Sequence, residues 1–313
     1  MSSSASPRVA VLGELNVDML ASGLKELPQM DREILAGDFE MTLGSASAIF
    51  ASGMARLGHP VTFISQVGND RFGDFCLGAL RKAGIPTKHI SRKPNLKTGV
   101  TIVLSTTLDR ALVTYQGTIA SLKYPQLKMS LLKGHAHLHM TSYFLQSGLR
   151  PAVPKIFRGA RKMGLTISFD PNSDPTGAWN VPLLEVLAET DILFVNEAEA
   201  LQLSRSRSVP RALKTLSQFV SCVVIKRGAR GSIAVKDGEI SSAPGYKVKA
   251  VDTTGAGDSF AAGFVSAYLA GSSMAACLRA GNACGALTVL KVGGTAGQPD
   301  QNTLRKFLST ETK

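Results

Sequence analysis

Short apolar runs that alternate with helical periodicity restrict the fold of this chain more than any other feature of the sequence. The predicted strands lie at residues 8–12, 61–65, 136–140, 165–169, 192–195 and 222–225, and the predicted helices at 46–57, 70–83, 151–163 and 197–203. Strands that alternate with helices of this length form a mostly parallel sheet with helices on both faces. The 313 residues are 44% hydrophobic, which is enough to bury such a core. We therefore expect an α/β fold.

Two segments depart from this alternation. Residues 19–43 contain no long helical pattern, and residues 98–115 alternate in short β-like runs around a polar turn at 108–110. Such runs are typical of strands that pair outside the main sheet. We predict one domain over residues 1–313, with a small β lid built from about 19–43 and 98–115.

The chain is basic, with 35 lysine and arginine residues against 23 acidic residues and a net charge of +12. This excess favours anionic partners, either nucleic acid, an acidic membrane surface or a phosphorylated small molecule. The basic residues are dispersed along the sequence, which argues against a nucleic-acid-binding stripe. The four cysteines are scattered without metal-site spacing, so we predict reduced, mostly buried thiols in a cytoplasmic protein.

One stretch has the length of a membrane span. Residues 259–278 carry no charge, but they are rich in Ala, Gly and Ser, and an aspartate precedes them. The N-terminus has no basic region of the kind that begins a signal peptide. We predict a buried helix with a face of small residues and no membrane partner.

The segment Asp252-Thr-Thr-Gly-Ala-Gly-Asp258 directly precedes that helix. A Gly-Ala-Gly turn that opens a helix leaves backbone N–H groups unpaired, and together with the helix dipole they can hold an anion. Asp258 would either stabilise the helix N-terminus or act as a general base beside that anion site. The sequence has neither a P-loop motif nor a dinucleotide fingerprint.

Together with Ala262-Gly-Phe-Val265, this segment resembles the C-terminal signature of the PfkB/ribokinase family of carbohydrate kinases. The resemblance covers about residues 8 to 300. The other matching segments follow in the family's order: Gly13-x-x-Asn16-x-Asp18, Asn196-Glu-Ala-Glu199, Lys226-Arg-Gly-Ala-Arg-Gly231 and Gly281-Asn282. This resemblance implies a ribokinase-like fold, with a mostly parallel central sheet, helices on both faces and a β lid.

The resemblance also implies a catalytic site for transfer of the γ-phosphoryl group of ATP. Asp258 would take the proton from a primary hydroxyl of the substrate, and the N–H groups of Gly255, Ala256 and Gly257 would hold charge on the transferring group. The implied ATP-binding residues are Asn196, Lys226, Gly228, Gly231 and Asn282. With Asn196, Glu199 would arrange Mg²⁺ through water, and Asp252 and Thr254 match positions that bind a monovalent cation, K⁺, in some members.

For the substrate, the resemblance implies contacts from Asn16, Asp18 and the segment that contains Gly44 and Ser45. The lid would close over the substrate and exclude water, and Arg110 in its turn could reach an anionic substrate group or remain solvated. The lid of relatives also forms dimers, so we expect a possible homodimer through the lid.

One departure from the family bears on the substrate. Ser45 stands where the family has a second glycine, and Ile49 stands where it has an asparagine that contacts the sugar. Loss of an amide weakens recognition of a polyhydroxy compound. The position that matches ribokinase's sugar-binding glutamate falls near Tyr143, which would face a flatter, less polar substrate.

We therefore predict an ATP- and Mg²⁺-dependent kinase that phosphorylates a primary alcohol of a sugar or a sugar-like compound. A nucleoside kinase on the same fold is the first alternative, favoured by Ile49, Phe50 and Tyr143. A catalytically silent sugar-binding regulator is the second alternative, and the intact Gly255, Gly257 and Asp258 argue against it.

Overall fold

The computed structural model describes residues 6–106, 110–179 and 183–310, so positions 108 and 109 of the predicted lid turn lie outside the described residues. The strands are β1 Val9–Leu12, β2 Asn16–Leu24, β3 Asp38–Leu43, β4 Val61–Gly68, β5 Ile90–Lys93, β6 Gly99–Thr106, β7 Arg110–Tyr115, β8 His137–Thr141, β9 Thr166–Asp170, β10 Ile192–Asn196, β11 Cys222–Lys226, β12 Ser232–Lys236 and β13 Glu239–Ala243. The helices are α1 Ala46–Arg56, α2 Arg71–Lys82, α3 Val153–Lys162, α4 Leu184–Leu187, α5 Glu197–Ser204, α6 Val209–Leu216, α7 Ala256–Leu269, α8 Met274–Thr288 and α9 Gln301–Thr310.

Nine strands form the main sheet in the order β13-β12-β11-β10-β9-β8-β1-β4-β5. The strands from β11 to β5 in this order pair in parallel, and only β12 and β13 are antiparallel. This topology agrees with the mostly parallel sheet predicted from the alternation of strands and helices. It also places the carboxyl ends of β8 to β11 at one edge, where ligands bind in open α/β sheets.

The two faces of the main sheet are both buried. Along β1, Val9 and Val11 pack on one face with α1, α2, α7 and α8, whereas Ala10 and Leu12 pack on the other face with α3 to α6. Successive side chains of a strand point to opposite faces, so a strand that is apolar throughout needs helices on both sides. All four cysteines are buried and free, as the sequence predicts.

The uncharged stretch at 259–278 is two helices, which corrects the prediction of one. Helix α7 ends at Leu269 and α8 begins at Met274, with Gly271 at φ 73° in the turn between them. Positive φ favours glycine, and the Ser273 side chain accepts from Ala276 N to cap the second helix. No helix in the described part of the chain is long and apolar enough to cross a membrane.

The two departing segments meet in a separate four-stranded sheet, which we call the lid sheet, in the order β3-β2-β6-β7. Strand β2 pairs in parallel with β6 and antiparallel with β3, and β6 pairs antiparallel with β7. Asp18 and Thr101 are directly paired, so their side chains lie on the same face of the lid sheet. Asn16 also lies on this face, where it donates to Thr101. We call it the inner face. Both predicted lid segments therefore contribute to one sheet.

Candidate active site

Three polar residues end adjacent parallel strands of the main sheet. Asp170 is the last residue of β9, Asn196 the last of β10 and Lys226 the last of β11, and Asn196 and Lys226 are directly paired. The side chains of Asp170 and Lys226 meet across the end of β10, where Lys226 Nζ donates to Asp170 Oδ2 at 2.5 Å. The carboxylate of Asp170 is only 1% exposed. A largely buried ion pair thus lies at the carboxyl ends of β9 and β11.

The Lys226 ammonium stays charged in this position. Burial lowers its pKa, but the carboxylates of Asp170 and Glu199 and the hydrogen bond to Asp170 outweigh that effect and raise it. Its positive charge is therefore available to a phosphate that approaches the sheet edge.

Asp258 lies in the first turn of α7, directly above this pair. Gly255 precedes the helix at φ 71°, and a Cβ on Gly257 would lie 3.2 Å from Lys226 Nζ. Burial and, to a smaller extent, the Asp170 carboxylate raise the pKa of Asp258 to about 7, although Lys226 opposes the shift. A carboxyl group with a pKa near neutrality can exchange a proton at physiological pH, which suits a general base.

The turn before Asp258 presents backbone donors. Among the predicted donors, Ala256 N is already paired, because it donates to Thr253 O at 3.3 Å, which corrects the prediction for this residue. The N–H groups of Gly257 and of Asp258, which was not predicted as a donor, have no partner within the helix because they belong to its first turn. A Cβ on Gly255 would lie 2.6 Å from Gly294 Cα, so only glycine fits where this turn packs against the 294 segment. The turn is therefore held in place and can receive an anion.

A cavity of about 300 Å³ opens beside this turn. Four of the five predicted ATP-binding residues line it, namely Lys226, Gly228, Gly231 and Asn282, together with Ala256 and Gly257 of the turn. The Asn282 amide donates to Ala243 O at 3.2 Å and to Pro244 O at 2.9 Å, which fixes α8 against the loop after β13. The remaining walls are largely apolar and include Tyr246, Val248, Phe260 and Val289. Such a site suits a planar base next to a turn that can receive an anion.

The fifth predicted residue, Asn196, caps α5 and does not line the cavity. Asn196 Oδ1 accepts from Glu199 N at 2.9 Å, and Glu199 Oε2 accepts from Asn196 N at 2.8 Å, which is a reciprocal capping box. Glu199 Oε1 also accepts from Ser173 Oγ. Burial and the neighbouring Asp170 carboxylate raise the pKa of Glu199, so an added cation would be favourable here.

The substrate-binding residues predicted near the lid form a second polar cluster. Asn16 Nδ2 donates to Asp18 Oδ1 at 3.0 Å and to Thr101 Oγ1 at 3.4 Å. Gly44 packs so closely that a Cβ there would lie 2.1 Å from Asp18 Oδ1. Burial, with help from the Glu14 and Asp252 carboxylates, raises the pKa of Asp18 to about 7, although the hydrogen bond from Asn16 opposes the shift.

Arg110 begins β7, where it pairs with Ser105 of β6. The alternation of β7 puts Arg110 on the same face as Thr114, whose hydroxyl contacts Thr101 on the inner face of the lid sheet. Its guanidinium is exposed, and its charge lowers the pKa of Asp18. The lid sheet thus places the positive charge of Arg110 on the same face as Asn16 and Asp18.

Glu14 joins this cluster to the main sheet. Its carboxylate is 3% exposed and accepts hydrogen bonds from Ser47 Oγ at 2.7 Å, Ser142 Oγ at 2.9 Å and Ser47 N at 3.2 Å. Ser45 Oγ donates to Glu14 O at 2.6 Å and accepts from Ala48 N at 3.0 Å, which caps α1. Ser45 has φ 74°, the conformation that a glycine at this position would adopt without strain.

Two predicted substrate residues are buried. Ile49 is 3% exposed and packs against the turn at Gly255–Asp258, because Cβ atoms on Gly255 and Gly294 would lie 3.0 Å and 2.4 Å from its side chain. Tyr143 is also 3% exposed, and its ring makes edge contacts with Phe144 and Phe169. The structure therefore places Ile49 behind the turn and Tyr143 in an aromatic cluster, and their contacts with substrate stay predictions.

Asp252 connects the turn to the segment after α8. Its Oδ1 accepts from Thr254 N at 2.9 Å, and its Oδ2 accepts from Gly293 N at 2.8 Å. The Asp252 carboxylate thus links Thr254, which directly precedes Gly255, to Gly293, which directly precedes the Gly294 that packs against Gly255.

A model of a known family, described as pfkB family carbohydrate kinase, matches residues 6–301. The chain belongs to the pfkB family of carbohydrate kinases. This match confirms the family predicted from the Asp252–Asp258 and Gly13–Asp18 motifs.

Three relatives of this pfkB family member span nearly its whole length. The 2-dehydro-3-deoxygluconokinase of Bacillus subtilis is 31% identical over 290 residues, which cover 87% of this chain and 88% of that protein. The ribokinase of Haemophilus influenzae is 29% identical over 312 residues, with coverages of 96% and 98%. The crystal structure of a putative ribokinase II from E. coli, in complex with ATP and Mg²⁺, superimposes with a TM-score of 0.87 at 30% identity and covers 97% of this chain and 99% of that chain. The predicted ribokinase-like fold is confirmed.

Sequence reasoning missed two acids of this candidate site. Asp170 was missed because the predicted strand stops at residue 169. A signal was present, since a polar residue just after an apolar strand marks the ligand-binding edge of a parallel sheet. Glu14 stands between Gly13 and Leu15 after the first strand, where its burial depends on Ser47 and Ser142 from distant segments. No local signal marks that convergence.

Proposed function

We propose that this protein is an ATP-dependent phosphotransferase that moves the γ-phosphoryl group of ATP to a primary hydroxyl of a sugar or sugar-like compound. One observation carries the proposal: Asp258, with a pKa of about 7, follows a backbone turn that lines a nucleotide-sized cavity. The Glu14 carboxylate raises the pKa of both Asp258 and Asp18, so the proposed base and the Asn16–Asp18 cluster lie in one small region.

In this proposal, Asp258 accepts the proton of the substrate hydroxyl as that oxygen attacks the γ-phosphorus. The first-turn N–H groups at Gly257 and Asp258 and the ammonium of Lys226 stabilise the charge on the transferring phosphoryl group. Asn16 and Asp18 hold substrate hydroxyls, and Arg110 approaches from the lid. Closure of the lid excludes water, which would otherwise accept the phosphoryl group.

The carboxylates at the sheet edge fit Mg²⁺. Asp170 and Glu199 supply hard oxygen atoms, and burial together with the Asp170 carboxylate raises the pKa of Glu199, so a cation nearby would be favourable. No group of three His, Cys, Asp or Glu side chains within residues 6–106, 110–179 and 183–310 is arranged to hold a metal directly. Mg²⁺ usually keeps several waters and binds through one or two carboxylates and substrate phosphates, so Glu199 and Asn196 would hold it through water. When bound, it neutralises charge on the β- and γ-phosphates.

We also propose a monovalent cation, K⁺, beside Asp252 and Thr254. The Asp252 carboxylate bridges Thr254 N and Gly293 N, so a cation there would brace the loop that supports Gly255. Replacement of K⁺ by the larger tetramethylammonium ion in the assay buffer should then lower kcat without loss of the fold.

A substrate panel tests the proposed reaction. Sugars, sugar acids, sugar phosphates and nucleosides are each incubated with ATP and Mg²⁺, and ADP release is followed by a coupled assay. We expect turnover with at least one sugar or sugar acid, and turnover with nucleosides alone would assign the nucleoside kinase alternative instead. Binding of a sugar without ADP release would identify a silent regulator.

We propose that two copies of this chain form a homodimer through their lid sheets. The face of the lid sheet opposite Asp18, which we call the outer face, exposes five large apolar side chains without a charge among them: Phe39, Met41, Ile102, Val113 and Tyr115, each 40–62% exposed. An uncharged apolar face is best covered by another such face, and an identical copy supplies it.

Two neighbouring substitutions on β7 test the dimer. Val113 on the outer face is 59% exposed, and Leu112 on the inner face is 57% exposed, so the two sites differ in direction and not in exposure. Sedimentation equilibrium should show a dimer for the unchanged chain and for Leu112→Lys, and a monomer for Val113→Lys. A monomer in all three cases would contradict the proposal.

A further inference from the structure

Gln298 connects the first turns of two helices. It lies between α8 and α9 and is 2% exposed. Its Nε2 donates to Ile49 O, near the start of α1, at 2.8 Å and to Ser259 Oγ, near the start of α7, at 2.9 Å. An amide nitrogen carries two hydrogens, so both are used in these bonds. Since Ser259 directly follows Asp258, Gln298 connects α1 to the turn at Gly255–Asp258.

The side chain of Ile49 makes a second connection between α1 and this turn. A Cβ on Gly255 would lie 3.0 Å from Ile49 Cγ2, and a Cβ on Gly294 would lie closer still to Ile49 Cδ1. The Ile49 side chain therefore fills the space that these two glycines leave open, and it is 3% exposed. A branched side chain in a close-packed interior has little room to move, so it holds the backbone at Gly255 against the segment that contains Gly294.

Helices α1 and α7 also approach closely one turn after Ile49. A Cβ on Gly53 would lie 2.8 Å from the Cβ of Ala262 in α7 and 3.1 Å from Gln298 Nε2. The absence of a side chain at Gly53 thus lets the two helices pack directly against each other. We call Ile49, Gln298 and Ser259 the α1–α7 brace.

The N-terminal end of α1 contacts the Asn16–Asp18 cluster. Ser45, which caps α1, donates to Glu14 O at 2.6 Å, and Gly44 packs against the Asp18 carboxylate. One turn later, α1 contacts the turn at Gly255–Asp258 through the brace. Helix α1 therefore spans the space between the residues proposed to hold substrate and the proposed base.

We propose that Ile49 and Gln298 are positioning residues, which fix the distance between the Asn16–Asp18 cluster and Asp258 and do not contact the substrate. The inference rests on the proposed function, since it assigns both residues to the phosphoryl-transfer step. A misplacement of about 1 Å between reacting groups can lower the rate of such a step about a hundredfold while the binding contacts remain. Loss of the brace should therefore lower kcat and leave KM for the substrate unchanged.

The variant Gln298→Met tests the two hydrogen bonds of the brace. Methionine has a similar length but no N–H donor, so both bonds are lost. With the substrate that the panel identifies, we expect kcat to fall about tenfold or more. KM for the substrate and the dissociation constant of a non-hydrolysable ATP analogue should stay within about twofold of their original values.

Gln66 offers a matched control. It is also 2% exposed, and its Nε2 also donates to a backbone oxygen, Thr118 O at 2.9 Å, and to a serine hydroxyl, that of Ser121. These bonds connect β4 to the residues that follow the lid sheet, and not α1 to α7. Gln66→Met should lose a comparable amount of thermal stability and keep the original kcat. A loss of kcat as large as that of Gln298→Met would show general destabilisation and overturn the proposal.

Two variants of Ile49 test its side chain. Ile49→Ala removes the contacts with both glycines and should lower kcat as Gln298→Met does. Ile49→Val keeps Cγ2 against Gly255 and should keep most of kcat. A change in KM for the substrate at unchanged kcat would show instead that Ile49 contacts the substrate, which would overturn the proposal.

Hydrogen–deuterium exchange tests the brace without turnover. The backbone amides of residues 255–262 should exchange faster in Gln298→Met and in Ile49→Ala than in the unchanged chain, and Gln66→Met should leave them unchanged. Unchanged exchange in both brace variants would overturn the inference. Absence of turnover by the unchanged chain would contradict the proposed function, and the exchange rates would still decide whether Ile49 and Gln298 hold the turn.

Discussion

Lys226 Nζ donates to Asp170 Oδ2 across the end of β10, so the last residues of β9 and β11 are joined by a charge pair while β10 contributes Asn196 between them. Only 1% of the Asp170 side chain and 16% of the Lys226 side chain are exposed. The ammonium also lies close to Gly257 of the turn before Asp258. One pair therefore serves both the stability of the sheet edge and the electrostatics of the candidate reaction.

The two partners should show strong energetic coupling. Lys226→Met leaves the Asp170 carboxylate buried and unpaired, so we expect a loss of about 3 kcal/mol in the free energy of unfolding. The double variant Lys226→Met/Asp170→Asn should recover most of that loss, because no uncompensated charge remains. Urea denaturation of the two single variants and the double variant gives the coupling energy, and additive effects would show that the pair is not formed.

Proton transfer to Asp258 sets the expected pH dependence. The base must be ionised, and its pKa is raised to about 7, so kcat/KM should rise with pH and level off above about 7. Asp258→Asn should abolish turnover while ATP affinity stays within a few-fold of the original. Steady-state kinetics from pH 5 to 9 and ATP titrations check both expectations, and substantial activity of Asp258→Asn would remove Asp258 as the base.

Two neighbours of Asp258 should shift the pH range over which kcat/KM rises in opposite directions. We call this rising part of the pH profile the acid limb. The Lys226 charge lowers the pKa of Asp258, so Lys226→Met should shift the limb to higher pH. The Glu14 carboxylate raises the same pKa, so Glu14→Gln should shift the limb to lower pH. A structural role alone would lower activity at every pH, so the position of the limb separates the two explanations.

Protein stability should fall as pH rises towards neutrality. Asp18 and Asp258 have pKa values near 7 in the folded chain against 3.8 when unfolded, so the folded state binds more protons between these values. Their favourable contribution is complete below about pH 4 and is lost by about pH 7. Asp258→Asn should therefore raise the melting temperature more at pH 8 than at pH 5. An equal change at both pH values would contradict the raised pKa.

Ser45 gives a test of backbone strain. Its φ of 74° is unfavourable for any residue with a Cβ, while its hydroxyl caps α1 and donates to Glu14 O. Ser45→Ala keeps the strain and loses both bonds, whereas Ser45→Gly loses the bonds and relieves the strain. We expect the glycine variant to be more stable than the alanine variant by about 1–2 kcal/mol. At Ala46, inside the helix, the order of glycine and alanine should be reversed in the same denaturation assay.

Periodicity predicted six of the nine strands of the main sheet and the two lid segments, because strands such as Val9–Leu12 are apolar throughout and Gly58 and Gly84 end the helices α1 and α2. It did not predict β5, β12 and β13, which are the strands at the two ends of that sheet. It failed at residues 259–278. There Gly271 breaks the helix, but the surrounding small residues are compatible with either one helix or two.

The candidate site was predictable where one motif supplies it. The turn at Gly255–Asp258 and the loop at Gly228–Gly231 are local, and each lines the same cavity through its own backbone. The environments of Ile49, Tyr143 and Glu14 were not predictable, because each depends on residues from distant parts of the chain. Ile49 packs against Gly255 and Gly294, which no pattern around residue 49 reveals.

The parallel pairing of β2 with β6 has a consequence for synthesis. Asn16 pairs with Gly99, so the lid sheet closes a loop of more than eighty residues and should be among the slower contacts to form. All four of its strands nevertheless leave the ribosome before residue 116, long before the turn at Gly255–Asp258 is translated. The nascent chain can therefore assemble the lid sheet first, and the candidate site is complete only when the last quarter of the chain has folded against it.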